Sequence, residues 1–176
     1  LSALGESARH EGERQGLRPI DAQGWWLAPS LVDPHSVLEQ PLLGRAETLT
    51  SLAAAAAAGG YGQVALLPWG QPPRDQPERL QLHWSEPMQL HLWGSLCHGD
   101  GHEDLAPQRE LLAAGAIGLA GSAELPAVNL LQRSLQLGEM DEHPLLLAPR
   151  QRNLGADGLV RERVEALRAG WPVDPP

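Results

Sequence analysis

Short apolar runs alternate with longer helix-forming stretches from Gly24 to the end of the chain. Leu27 to Pro34 (LAPSLVDP) reads as a buried strand closed by Pro and Asp. Arg45 to Ala58 is a helix-forming stretch, and Gly59-Gly60 stop it as a helix C-cap does. Gln63 to Leu67 is a second buried strand, stopped by Pro68 and followed by a Pro-rich loop with a short helix near Pro77 to Gln81. Gln89 to Leu96 alternates like a third strand, Leu105 to Ala114 is a helix ending at Gly115, and Ala116 to Ala120 is a fourth strand. Ala127 to Leu137 is a helix, Leu145 to Ala148 a fifth strand, and Gly158 to Ala169 a last helix capped at Gly170. Strands alternating with helices imply βαβ units and a parallel sheet. Five such strands suit an open doubly wound sheet, or most of a (β/α)8 barrel, which typically needs about 250 residues.

Composition narrows the partners. The 176 residues hold 13 basic and 22 acidic side chains, a formal charge of −9, and every basic residue is Arg. An acidic chain without a basic stripe argues against nucleic acid and anionic membranes. The single cysteine, Cys97, forms no internal disulfide, and no stretch reaches the roughly 20 apolar residues of a spanning helix. The first residues, Leu1 to Arg14, are polar and unlike a secretory signal, so a cytoplasmic location is expected.

Gly24 to Pro41 (GWWLAPSLVDPHSVLEQP) resembles the first barrel strand of the amidohydrolase superfamily, most closely that of dihydroorotases and related cyclic amidohydrolases. The likeness continues through Glu47-Thr48 and the Ala-rich helix to Ala58-Gly59-Gly60-Tyr61, and through Val64 to Pro73 with Asp75 and Pro77. Leu111 to Leu119 (LLAAGAIGL) resembles the approach to the fourth strand, and Gly155 to Pro175 the segment after the fifth. Residues 1–24 look like the tail of the small β-sandwich that precedes the barrel. The resemblance thus implies a partial (β/α) barrel over 25–176, about five βα units, behind a sandwich remnant.

Cyclic amide hydrolysis in that family uses one or two zinc ions that make water nucleophilic near neutral pH. Asp33 and His35 stand at family positions, but the second His of the pair falls on Val37. The Arg that holds the substrate carboxylate falls on Glu39, and the substrate-binding Asn on Trp69 or Gly70. The carbamylated Lys cannot exist in a chain without Lys, Leu119 to Ser122 (LAGS) offers no carboxylate, and Glu124 is out of register. The fifth-strand His falls on Ala148. The resemblance therefore implies a dihydroorotase-like protein related to pyrimidine biosynthesis with no metal, no cofactor and no catalytic residues. His35 is then vestigial, and the chain serves as a scaffold or is a truncated homologue. The alternative is an active zinc-dependent cyclic amidohydrolase with a rearranged site around His98 and His102, beside Glu103 and Asp104. The bland reading of that stretch is a solvated loop, because two glycines separate the histidines. Cys97 is read as a half-buried, unreactive thiol rather than a nucleophile served by those histidines. Family-level pairing of inactive dihydroorotase-like chains with aspartate transcarbamoylase makes that enzyme an expected partner. Self-association is the other expectation, because a partial barrel leaves sheet edges and an inner face uncovered.

Overall fold

A computed structural model describes residues 5–38, 47–70, 72–84, 88–99, 103–136, 143–148, 150, 160–161, 163–170 and 173–174. The chain begins with helix α1 (Glu6–Arg14), which buries no residue. Where the resemblance placed sandwich strands, the described residues 5–24 hold this helix and no strand.

Strand β1 (Leu31–Ser36) lies parallel to β2 (Tyr61–Leu66), with the register broken around Pro34, which has no N–H to offer the ladder. The Leu27 to Pro34 strand was expected to be buried. It starts four residues later and is an exposed edge: Leu31 and Val32 each keep 54% of their surface, because among the described strands only β2 pairs with β1. Between them runs α2 (Leu49–Ala58). Its N-cap Thr48 and Ser51 form a reciprocal capping box, Thr48 Oγ1 accepting from the Ser51 N–H at 3.1 Å and Ser51 Oγ from the Thr48 N–H at 2.9 Å. Gly60 ends the helix at φ 80°, a conformation open to glycine. Ala53 and Ala56, three apart, face the sheet, and their small side chains let the helix lie close to it.

The expected third strand is interrupted. It runs as β3 (Gln89–Leu92) on β2 and β4 (Gly94–Ser95) on β5 (Leu119–Ala120), with Trp93 at the break. The Trp93 N–H donates to the Leu66 carbonyl and the Gly94 N–H to the Gly118 carbonyl, so this one segment is bonded on both sides. β6 (Leu145–Leu146) continues from β5. Neighbours follow chain order from β1 to β6, all parallel, without the reversal that a doubly wound sheet requires. The two later strands, β7 (Val160–Arg161) and β8 (Val173–Asp174), form a separate parallel pair. Of the expected last helix, among the described residues Val160 and Arg161 are strand and α5 (Val164–Arg168) is helical before Gly170.

Helices α3 (Gln108–Ala113) and α4 (Val128–Gln136) cover the same face as α2. Leu66, Leu96, Leu111 and Leu119 are wholly buried in that layer, and each contributes about 1.5–3 kcal/mol of transfer free energy. Gln108 and Ser134 exchange two hydrogen bonds, 2.8 and 3.0 Å, which satisfies both buried side chains and ties α3 to α4. On the opposite face a smaller cluster forms from Ala65, Leu67, Trp93 and Ala120, joined by Ile117 and Leu146.

Candidate functional site at the strand carboxyl ends

Parallel strands present their carboxyl ends along one edge, where βα folds carry their chemistry. Asp33 lies three residues before the last residue of β1, Ser36. Its Oδ1 accepts the His35 N–H at 3.1 Å and its Oδ2 the Ser36 hydroxyl at 2.5 Å, so the carboxylate shapes the strand end. The His35 ring is exposed, and Val37 beyond it carries no lone pair. Glu39 and His102 lie outside the described residues. Ala148 follows β6 and offers no donor.

Two indoles span this edge. Trp69, after β2, donates its Nε1–H to the Gly121 carbonyl after β5 at 2.8 Å, passing over the β3–β4 segment. Trp93 donates to the Pro34 carbonyl on β1 at 2.9 Å. Gly121 sits inside Leu119 to Ser122, the stretch where the likeness calls for a metal-bound carboxylate. Ser122 next to it hydrogen-bonds the Glu124 backbone. The likeness implies zinc, which needs three or four N, O or S donors in fixed geometry. Val37, the LAGS stretch and Ala148 bring no side-chain donor to the His35 imidazole, and these family positions as they stand do not fit the ion. Among the described residues no group of three or more His, Cys, Asp or Glu is arranged to hold a metal.

Among the described residues a buried polar cluster joins the loops after β2 and β4, and sequence reasoning missed its organiser. Asp75, only 4% exposed, accepts the Gly99 N–H at 2.8 Å, pairs with the Arg79 guanidinium, and lies 3.3 Å from His98 Nδ1. Burial pushes the Asp75 carboxyl upward, but the Gly99 N–H, the His98 contact and the Arg79 charge together outweigh it and hold the carboxyl below its ordinary value. His98 thus contacts the loop after β2 through Asp75 while its side chain stays 45% exposed to solvent. Adjacent Arg74 donates to the Leu67 carbonyl while its Nε is buried without a partner, and burial lowers its pKa. The only sequence signal for the cluster was an Asp between prolines and arginines, which reads equally well as a turn.

Cys97 is buried, not half-buried. Burial, and then the charge of Asp104, push its thiol pKa up. Native protein at pH 8 is expected to react with an aromatic disulfide reagent at least about tenfold more slowly than urea-unfolded protein, since the thiolate is the reactive form. Equal rates would contradict that burial.

Comparisons with known proteins bear on the whole chain. No family model matches it. A dihydroorotase-like protein of Synechocystis sp. (strain ATCC 27184 / PCC 6803 / Kazusa) is 35% identical over 184 residues, covering 89% of this chain and 41% of that protein. The chain is dihydroorotase-like. Dihydroorotases of Anaeromyxobacter dehalogenans (strain 2CP-C) and Solibacter usitatus (strain Ellin6076) are each 28% identical, over 95% and 86% of this chain and 40% and 36% of theirs. This dihydroorotase-like chain therefore spans about two fifths of the length of the curated relatives it matches. Among solved structures, a Coccidioides immitis chain described as a deoxyribose-phosphate aldolase aligns at a TM-score of 0.36 and 17% identity, over 84% of this chain and 62% of that one. No helix among the described residues is long and apolar enough to cross a membrane.

Proposed function

We propose that this chain is a non-catalytic relative of dihydroorotase, associated with pyrimidine biosynthesis and built as a partial (β/α) barrel. The barrel reading is supported by parallel strands that follow one another in chain order under a single layer of helices. One observation carries the functional reading: the Trp69 indole is hydrogen-bonded to the Gly121 carbonyl where the active family places substrate and metal ligands. An indole N–H is a donor only and cannot hold a cation. A bulky ring fixed over the strand ends also takes space that a substrate and its activated water would need.

The test pairs metal analysis with turnover. Protein purified without chelators is expected to hold far less than one zinc per chain, and to show no hydrolysis of dihydroorotate above a no-protein control. Stoichiometric zinc together with hydrolysis would overturn the proposal. Loss of both on His98→Ala would then locate the rearranged site beside Asp75.

A further inference from the structure

We draw no further inference here: the strongest candidate, the open apolar cavity that α2 lines together with Tyr61, Gly62 and Met88, carries nothing because nothing in the structure shows what covers it.

Discussion

Replacing Asp75 with alanine should destabilise the fold by about 3 kcal/mol, near the lower end of what breaking a buried ion pair costs, because Arg79 keeps partial contact with water. The loss has named parts. The Gly99 N–H and the Arg79 guanidinium would each lose their acceptor, and His98 its carboxylate neighbour. Asp75→Asn keeps the shape and can still accept from Gly99, so it should cost clearly less than alanine. Acid sensitivity separates charge from packing. A carboxyl held below its ordinary pKa of 3.8 contributes stability that is present above that value. That contribution disappears as pH falls through the lower folded-state value. Wild-type stability should therefore drop below about pH 4, whereas in Asp75→Asn this part of the decline should be missing. Urea unfolding at pH 7 and across an acid series measures both effects. An alanine variant within about 0.5 kcal/mol of wild type would show that Asp75 is an ordinary surface-type residue despite its burial.

That clamp illustrates what the linear pattern could and could not convey. Helix α2 was legible from the alanine run and Gly59-Gly60, local signals that act within one turn, but its start was not: Thr48 caps it and it begins at Leu49, not Arg45. β2 was legible because a continuous apolar run between Gly and Pro is what a strand covered on both faces looks like. The same logic misled for Leu27 to Pro34. That run is equally apolar, but burial depends on a neighbour on each side, and β1 has one among the described strands. Likewise nothing local marks the break at Trp93, where one segment gives its hydrogen bonds first to β2 and then to β5. At the strand ends, residue types were readable: Val37 and Ala148 lack lone pairs whatever the fold. The reach of the Trp69 indole to Gly121, 52 residues along the chain, was not, since it requires β2 and β5 to be two strands apart in space. Asp75 was invisible as an organiser for the same reason: His98 and Gly99 are more than 20 residues away.

Gly118→Ala should be more damaging than its one added methyl suggests, with a loss of about 3 kcal/mol or failure to fold. A Cβ there would sit 2.4 Å from the Pro144 carbonyl oxygen, 2.7 Å from Trp93 Cζ3 and 2.9 Å from Pro144 Cγ. None of these can retreat cheaply. The Pro144 oxygen accepts the Leu119 N–H at 3.1 Å, which begins the β5–β6 ladder. The Trp93 ring is buried and is held at its far side by the Pro34 carbonyl. The Gly118 carbonyl itself accepts the Gly94 N–H, so shifting this backbone also loosens β4 from β5. The resemblance to the family's glycine-bearing approach to the fourth strand thus has a physical reason in this chain: the indole crosses the backbone where a side chain would stand. Gly12→Ala is the control. It lies in exposed α1 with nothing within 4 Å of the new methyl, so alanine there should be neutral or stabilise by up to about 1 kcal/mol. Thermal and urea unfolding of both variants measures the contrast. If Gly118→Ala unfolds at the wild-type midpoint, the close approach of Trp93 and Pro144 to this strand is wrong. The indole-spanned strand ends on which the non-catalytic reading rests would then need to be redrawn.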